Sequence, residues 1–390
     1  KNNGDNYIFK YIKVKNLKKI LNQLGIQLLE SFHLPFGKKN FQSLLANLSN
    51  CPNNLEVFLN SVVCDWKLLI ENDSNRISEI CAKSKKGNKL RVKADKFIVS
   101  AGAIESTRIL LELDEISNYS VIKKTSLLGC YLTDHVSLPI AIVCNNSILN
   151  TIKLFSPYFL HGWMRSFRFI DYSTNQDLPR AFFHFVFKNN NPGFLLAKSL
   201  MSAIQAKRIP KVSLLDFCSG IIGFVKIGLY RYVFSRLYIS KDTTVYMQLD
   251  MEQLPNKENR ISLGKDIDDY GRNVVEINWC ISEIDIKNSK LLANRFLRKW
   301  SAFSDISLKE IEEEYFEKPF DAYHPVGTCC MGEDEDSVVD KNLRVHGLDN
   351  VWLVSTAVLP SAGTVNPTFT VLCLAEQLIN RISISKTKKI

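Results

Sequence analysis

Apolar residues recur at helical spacing towards the carboxyl end of the chain. The positions lie three or four residues apart, which predicts a helix with one apolar face: Phe369, Leu372, Ala375, Ile379 and Ile382. Asn366 stands just before this pattern and is a suitable N-cap. Pro367 suits the first helical position, where its missing N–H leaves no bond unmade. We therefore expect a helix that begins beside a side-chain amide.

The stretch before this helix consists of an apolar run followed by a loop. Residues 351–354 (Val-Trp-Leu-Val) predict a short buried strand, and residues 355–365 carry the Pro and Gly residues of a loop. A strand thus leads into a loop, and the loop leads into a helix N-terminus. Such an N-terminus offers free N–H groups and a positive dipole end, so the pattern favours a polar or anionic ligand.

A second strand-to-helix passage lies earlier in the chain. Residues 96–100 are a compact apolar strand, and the small residues Ala101, Gly102 and Ala103 lead into a helical pattern. Small residues at the carboxyl end of a strand let a ligand approach the backbone, as in open α/β sheets. The alternative is that this turn only allows tight packing.

The amino-terminal third otherwise predicts a helix and small strands. Residues 1–50 have a helical pattern that includes Leu17, Leu21 and Leu24, with Gly25 as its stop. Short β-rich runs follow and predict an antiparallel meander: 55–63, 77–82 and 90–94, with a turn at 86–88.

From residue 137 to about 317 the pattern changes to aromatic and β-branched runs. These predict strands of a different sheet at 181–187, 245–249 and 273–279, with an amphipathic helix at 287–303. His184 lies inside one of these strands, and we interpret it as a core or face residue rather than a ligand. Hydrophobic strands mixed with helices in this region are typical of a substrate domain inserted into a binding domain.

The most apolar segment is 214–238. Basic residues interrupt it, so its uncharged apolar run is too short to predict a membrane-spanning helix. Two interpretations remain for it. A buried helix is favoured, and a peripheral membrane contact is the alternative.

The charge of the chain narrows the function classes. The net charge is +10, but the lysine clusters are short, scattered and not interleaved with aromatic residues. They predict a solvated basic surface and no nucleic-acid partner. Ten cysteines include no Cys-x-x-Cys pair, and the first residues are polar rather than those of a signal peptide. We expect reduced thiols, a cytoplasmic location and no metal site.

The stretch 323–332, Tyr-His-Pro-Val-Gly-Thr-Cys-Cys-Met-Gly, contains the histidine with the strongest functional context. Histidine is the side chain that titrates nearest physiological pH, so His324 is a potential general base. The alternative is a loop histidine that satisfies backbone groups. Asp134-His135 also has two interpretations, a hydrogen-bonded loop pair, which is favoured, and a wall of a cofactor site.

Four stretches together resemble a known family. They are Ser-Ala-Gly-Ala-Ile-Glu-Ser-Thr-Arg (100–108), Gly-Cys-Tyr-Leu-Thr-Asp-His (129–135), His-Pro-Val-Gly-Thr-Cys (324–329) and Asn-Pro (366–367). In this order they resemble the glucose–methanol–choline (GMC) oxidoreductases, flavoproteins that oxidise alcohols with FAD. The resemblance spans roughly residues 40–385 and is weakest across the inserted region.

The resemblance implies a mixed α/β (α+β) fold with a partial Rossmann-like FAD-binding domain and an inserted antiparallel-sheet substrate domain. The implied domains are 1–136 (second part of the FAD-binding domain), 137–317 (substrate-binding domain) and 318–390 (return to the FAD-binding domain, with the active site).

The resemblance also implies the chemistry and its residues. His324 removes the hydroxyl proton of an alcohol, Asn366 orients the substrate oxygen, and a hydride passes to flavin N5. The residues implied to hold FAD are Val63 at the adenine, Ala101 and Gly102 beside the flavin, Ser355 and Thr356 at the ribityl-phosphate arm, and Pro367 and Thr368 against the isoalloxazine ring. The implied substrate is an alcohol, sugar or polyol, with the electron acceptor left open.

One family feature is missing from the sequence. No two of the 17 glycines are separated by a single residue, so the Gly-x-Gly-x-x-Gly dinucleotide fingerprint does not occur. We therefore expect the chain to lack the first βαβ unit of the FAD domain. The alternative function is a non-catalytic remnant or partner subunit that cannot bind FAD alone.

Overall fold

The computed structural model describes residues 21–33, 54–71, 74–120, 122, 127–172, 178–188, 191–205, 208–209, 212–312, 314, 316, 319–321, 323–334, 336–363 and 366–387. The chain divides into two compact units. Unit 1 comprises 1–53, 137–250 and 286–319, and unit 2 comprises 54–136, 251–285 and 320–390. The predicted division into three functional domains stays a prediction.

The strands are β1 (Ile26–His33), β2 (Val62–Glu71), β3 (Ser74–Lys83), β4 (Lys89–Val92), β5 (Phe97–Val99), β6 (His135–Val143), β7 (Tyr158–Leu160), β8 (Trp163–Asp171), β9 (Ala181–Lys188), β10 (Thr244–Glu252), β11 (Arg260–Ile267), β12 (Asn273–Asn278), β13 (Leu308–Glu310), β14 (Phe320–Asp321) and β15 (Val351–Leu353). The helices are α1 (Ala103–Ile116), α2 (Asn145–Phe155), α3 (Pro192–Gln205), α4 (Leu214–Val233), α5 (Glu283–Phe303) and α6 (Thr368–Thr387). This mixed α/β fold with antiparallel sheets confirms the predicted fold class.

Unit 1 is built on a sheet with the strand order β1-β8-β9-β10-β6-β13, in which β7 also pairs with β8. Its core is an aromatic cluster on the sheet, α2 and α5, in which the rings of Phe183 and Phe296 stack with centroids 3.8 Å apart. Trp300 and Phe169 pack edge to face beside them. Such rings account for much of the burial that holds a sheet to its helices. The strands predicted at 181–187 and 245–249, and the helix predicted at 287–303, are confirmed.

β1 was not predicted from the sequence. A short helical turn ends at Gly25, whose φ of 70° is accessible to glycine, so this predicted stop is confirmed. Residues 26–33 then pair antiparallel with β8, from Ile26 opposite Asp171 to His33 opposite Met164. This long-range pairing overrides the local helical pattern. The rest of the predicted helix, including Leu17, lies outside the described residues.

Unit 2 contains the predicted meander, in which β2 and β4 pair antiparallel with β3. The first predicted strand was placed too early, because residues 55–61 have no regular secondary structure and are largely exposed, and β2 begins at Val62. β11 and β12 form an antiparallel pair, and β12 confirms the strand predicted at 273–279. β5 and β15, both predicted, pair in parallel.

The core of unit 2 packs α1, β5, β15 and the carboxyl half of α6 around Leu110, Leu113 and Leu353. In α6 the predicted apolar face was wrong at Phe369, Leu372 and Ile379, which are exposed. It is confirmed at Ile382, which packs against the core. Leu378, which is buried, and Leu374, which packs against the core, were not predicted. The helix has apolar residues on more than one side, so its periodicity did not determine which side packs inward.

α4 confirms the predicted helix of the 214–238 segment, but the favoured expectation of burial was wrong. Leu214, Ile222, Val225, Leu229 and Tyr232 are among its exposed residues. Among the helices that the structure describes, none is long and apolar enough to cross a membrane.

A buried polar cluster joins three neighbouring strands of unit 1. The Asp250 carboxylate accepts hydrogen bonds from Ser137 Oγ (2.5 Å) and Gln248 Nε2 (2.9 Å), and it lies 2.8 Å from His184 Nε2. Burial alone would raise the pKa of Asp250, but the hydrogen bonds from His184, Ser137 and Gln248 lower it to about 2. His184 is therefore a half-buried partner of a carboxylate.

This lowered pKa predicts a pH-dependent contribution to stability. A carboxyl group whose folded pKa lies near 2, against about 3.9 when unfolded, stabilises the fold by on the order of 2 kcal/mol above pH 4. The contribution disappears as the pH falls towards 2. We expect Asp250→Asn to lower the free energy of unfolding in urea by about this amount at pH 7, with the difference shrinking below pH 4. The exposed Asp266→Asn is the control, and an equal loss in both variants would contradict the assignment.

Candidate active site

Two of the predicted cofactor-binding stretches lie at the same edge of the parallel strand pair. Leu353 of β15 is opposite Val99 of β5, and the Val354 N–H donates to the Val99 carbonyl at 2.8 Å. The turn with Ala101 and Gly102 follows one strand, and Ser355 and Thr356 follow the other. Parallel strands end on one side of their sheet, which is the side where open α/β sheets bind ligands.

Gly102 leaves open space at this edge. Its φ of 84° belongs to the left-handed region, and no heavy atom lies within 4 Å of the place where a Cβ would stand. It is the N-cap of α1 and no side chain caps the helix there. The Ala101 N–H is already used, since it donates to Ser106 Oγ at 3.2 Å. The turn therefore offers uncapped helix N–H groups and room for a ligand.

Ser355 and Thr356 tie their strand end to the histidine stretch. Ser355 Oγ accepts a hydrogen bond from the Ala357 N–H at 3.2 Å, capping a 3-10 turn over Thr356–Val358. The Thr356 hydroxyl donates to the Pro325 carbonyl at 2.8 Å, and the Cys329 N–H donates to the Ala357 carbonyl at 2.9 Å. Residues 324–329 thus lie against the end of β15.

His324 is held through its backbone by a buried carboxylate. Its N–H donates to Asp134 Oδ2 at 2.8 Å, and the other oxygen of Asp134 accepts from the His135 N–H at 2.5 Å. The rings of His324 and His135 pack edge to face with centroids 5.4 Å apart. His324 Nδ1 is buried and has no hydrogen-bond partner among the described residues. An unsatisfied buried nitrogen calls for an explanation, and a ligand that would bond to it is one.

The stretch before Asp134 is paired with the histidine stretch. Thr133 and Val326 exchange backbone hydrogen bonds of 3.0 and 3.1 Å. Gly327 has a φ of 96°, and a Cβ there would collide with the Tyr131 carbonyl oxygen. Sequence reasoning interpreted Asp134-His135 as a hydrogen-bonded pair. The structure contains that hydrogen bond. Asp134 also anchors His324 through its backbone N–H, and the Asp-His pair in the sequence gave no indication of this second role.

Thr107, Thr328 and Cys329 form a buried contact behind the histidine stretch that sequence reasoning did not identify. The two threonine hydroxyls are 2.7 Å apart. Burial raises the pKa of the Cys329 thiol to about 12, so this thiol stays protonated. The described residues contain no group of three His, Cys, Asp or Glu side chains suited to a metal ion.

An ion-pair network holds α1, and with it the Gly102 turn, to β11 and β12. The Arg272 guanidinium donates to both oxygens of Glu112, from Nε at 2.9 Å and from Nη2 at 2.8 Å. Arg108 Nη2 donates to Asp268 Oδ2 at 2.7 Å. Because the fork of Arg272 is almost fully buried, these bonds fix the helix firmly.

The remaining predicted residues lie at separate places in unit 2. Asn366 is exposed, Pro367 is buried with its carbonyl accepting from the Val371 N–H at 3.1 Å, and α6 begins at Thr368. The helix thus starts one residue later than predicted. Within the described residues no hydrogen bond joins His324 to Asn366. Val63 is half-buried in β2, opposite Ala82.

A surface cavity of about 430 Å³ in unit 2 is lined by Lys96, Arg344, Trp352 and Arg381 among others. None of the predicted site residues lines it. The candidate active site therefore consists of the ends of β5 and β15 and the histidine stretch.

The family model described as GMC oxidoreductase matches residues 255–375, which include the histidine stretch, Ser355 and Asn366. Over these residues the chain is similar to the GMC oxidoreductases. Curated proteins similar to it include the fructose dehydrogenase large subunit of Gluconobacter japonicus, 24% identical over 78% of this chain and 50% of that protein. Pyridoxine 4-oxidase of Microbacterium luteolum is 62% identical over 10% of this chain and 8% of its own length.

One more curated protein and one solved structure are also similar to this chain. Oxygen-dependent choline dehydrogenase of Klebsiella pneumoniae (strain 342) is 39% identical over 20% of this chain and 14% of its own length. The crystal structure of pyridoxine 4-oxidase from Mesorbium loti has the same fold at 15% identity, with a TM-score of 0.50, over 87% of this chain and 60% of that one. The chain spans at most about half the length of these curated relatives.

Proposed function

We propose that this chain forms part of an FAD-dependent oxidoreductase that acts on the CH–OH group of an alcohol, sugar or polyol. The observation that carries the proposal is the meeting of three stretches in unit 2. The Gly102 turn and the Ser355–Thr356 turn end adjacent parallel strands, and hydrogen bonds tie the second turn to the stretch that holds His324. A cofactor-binding edge is thereby linked to a potential base.

The residues present fit FAD at one turn and a substrate beside it. At Gly102 there is room for the cofactor, because no heavy atom lies where a Cβ would stand, and the neighbouring helix N–H groups are uncapped. The buried Nδ1 of His324 has no hydrogen-bond partner among the described residues, and a bound substrate could supply one. We assign Ala101 and Gly102 to the flavin, Ser355 and Thr356 to the ribityl-phosphate arm, Val63 to the adenine, and the backbone of Pro367 and Thr368 to the isoalloxazine ring.

When bound, FAD supplies the acceptor for the hydride that leaves the carbinol carbon. His324 takes the hydroxyl proton of the substrate onto its imidazole ring, which makes the carbon a better hydride donor. Asp134 positions His324 by accepting a hydrogen bond from its backbone N–H, which fixes the backbone to which the imidazole ring is attached. His135 packs against one side of the ring and limits its rotation.

We assign Asn366 to substrate orientation. Its side chain does not titrate, and its amide can donate to or accept from the substrate oxygen. Asn366 is exposed at the start of α6, where the helix N-terminus favours negative charge. An alkoxide-like oxygen would therefore be stabilised at this place.

The experiment uses the chain loaded with FAD. We expect added FAD to bind, with quenched flavin fluorescence, and an alcohol from the panel choline, pyridoxine and fructose to reduce a dye acceptor. These alcohols are taken from the names of the similar proteins. FAD binding without turnover of any CH–OH compound would contradict the catalytic proposal. Failure to bind FAD would support the alternative, a non-catalytic remnant or partner subunit.

Replacing Asp134 with asparagine is expected to slow turnover by about 10- to 100-fold, because displacement of a catalytic group by a fraction of an ångström is costly. An asparagine keeps the shape, but only one of its two positions can accept an N–H, so the bond to His135 or to His324 is lost. The measurement is kcat and KM, together with FAD affinity. We expect kcat to fall while FAD affinity is unchanged, and the exposed Asp336→Asn to behave as wild type.

We also propose a cytoplasmic location. The described cysteines are free of disulfides, and such thiols are typical of reducing compartments. The test is to count the free thiols of the protein after purification under denaturing, alkylating conditions. Cysteines found in disulfide bonds would contradict the proposed location.

A further inference from the structure

The two consecutive helices α3 and α4 of unit 1, here called the helical hairpin, have an unusual surface. Exposed apolar residues cover much of α4, and their exposed fractions are high: Ile222 68%, Val225 61%, Leu229 50% and Tyr232 86%. A soluble protein seldom leaves a contiguous apolar surface of this kind without a partner. The proposed oxidoreductase activity does not use it.

Glycines determine which side of α4 faces α3. Gly193 is in direct backbone contact with Gly223, and a Cβ on Gly193 would collide with the Gly223 backbone. A Cβ on Gly220 would come within 2.9 Å of the Leu196 side chain. The two helices therefore pack closely through Gly220 and Gly223, as small residues allow. The opposite side of α4 points away from α3.

That opposite side is a continuous apolar stripe. Cys218, Ile222, Val225, Leu229 and Tyr232 follow one another at intervals of four, three, four and three residues, so they share one face. The helix has 20 residues and is about 30 Å long. The stripe is flanked by the exposed Lys226, and it ends in the aromatic residues Tyr230, Tyr232 and Phe234.

The sequence segment that contains the helical hairpin carries almost entirely positive charge. Residues 191–240 contain seven basic residues (Lys198, Lys207, Arg208, Lys211, Lys226, Arg231 and Arg236) and one acidic residue (Asp216). An interface between two copies of this surface would bring the same basic patch together across a twofold axis. An anionic lipid surface offers the opposite charge to the lysines and an apolar layer to the stripe. Tyrosine and lysine at the border of the stripe suit the headgroup region.

We propose that the helical hairpin docks this protein onto the surface of an anionic lipid bilayer, with α4 lying in the plane of the interface and its apolar stripe inserted below the headgroups. The described helices include none that could span the bilayer, so the contact is peripheral. The hairpin residues all belong to unit 1, and the site residues named above belong to unit 2.

The test is sedimentation of the full chain with vesicles of phosphatidylcholine alone and of phosphatidylcholine mixed with phosphatidylglycerol. We expect binding to the mixed vesicles, weaker binding to phosphatidylcholine, and release by salt. The variant Ile222→Ser/Val225→Ser/Leu229→Ser should bind at least about tenfold more weakly, because it removes apolar area from the stripe. Lys198→Gln/Lys226→Gln should weaken binding to the mixed vesicles by about tenfold and leave binding to phosphatidylcholine unchanged.

The control replaces equally exposed apolar residues elsewhere. Leu149→Ser/Ile267→Ser/Ile284→Ser changes side chains exposed by 64%, 58% and 60%, and should bind vesicles as the wild type does. All the substituted side chains are exposed, so thermal unfolding should remain unchanged. No vesicle binding by the wild type, or equal binding by the stripe variant, overturns the proposal. A dimer in solution that the stripe variant dissociates, without vesicle binding, would identify a second copy as the occupant.

Discussion

We expect His324→Ala to lower the rate of flavin reduction by an alcohol by about 10²- to 10⁴-fold in the FAD-loaded protein, because proton abstraction in the transition state would lose its proposed base. FAD affinity stays unchanged, since His324 is not among the residues assigned to the cofactor. Single-turnover reduction measured by stopped flow under anaerobic conditions gives the rate, and flavin fluorescence quenching gives the affinity.

The histidine at position 161 provides the matched control. His161 is exposed and belongs to unit 1, so His161→Ala should reduce flavin at the wild-type rate. Added imidazole should restore part of the activity of His324→Ala, because the space of the missing ring can accept a small base. A wild-type rate in His324→Ala would show that the proton is removed by another group.

We expect Gly327→Ala to destabilise unit 2 by about 3 kcal/mol, the sum of a left-handed backbone unfavourable to alanine and of steric overlap. Gly327 has a φ of 96°, and its added Cβ would meet the Tyr131 carbonyl oxygen, a backbone atom that cannot swing aside. The hydrogen bonds between Thr133 and Val326 would be strained with it. Urea unfolding followed by tryptophan fluorescence measures the loss.

Gly87→Ala separates the two causes. Gly87 also has a positive φ, 82°, but no heavy atom lies within 4 Å of the place of its Cβ. We expect a loss of only about 1 kcal/mol there, from the backbone conformation alone. Equal losses in the two variants would mean that the close approach of residues 131 and 327 does not hold the loop.

Local sequence patterns predicted the elements that carry the site. The strands β5 and β15, the turn at Gly102 and the start of α6 near Pro367 all have short-range signals in the form of apolar runs, small residues and a helix-compatible proline. The parallel pairing of β5 and β15 could not be predicted from either apolar run, since the paired residues are 254 positions apart. The sequence indicates this parallel pairing only through the resemblance to a family with a Rossmann-like domain.

Long-range packing explains most of the errors. β1 lies in a helical pattern but pairs with β8, more than 130 residues away. α6 has apolar residues on several sides, and contact with the unit 2 core chooses Leu378 over Phe369 and Ile379. α4 is apolar enough to suggest burial, yet it packs mainly through its glycines and leaves its large side chains exposed.

The candidate site illustrates the same limit. The sequence pointed to His324 by its residue type and its neighbours, but it gave no indication that Asp134 accepts the His324 N–H from 190 residues away. Ser355 and Thr356 were assigned to the cofactor, and the structure adds that their hydroxyls bond to Ala357 and Pro325. These contacts depend on where loops meet, which local pattern does not encode.

The most direct test of alcohol oxidation by this chain is anaerobic titration of its FAD-loaded form with choline, pyridoxine or fructose. We predict that one of these alcohols, or another CH–OH compound, bleaches the visible flavin absorption, and that deuterium on the carbinol carbon slows the bleaching. The His324→Ala variant should bind the same FAD and stay yellow on the same timescale. Flavin that remains oxidised with every CH–OH compound, while dithionite still reduces it, would contradict the account.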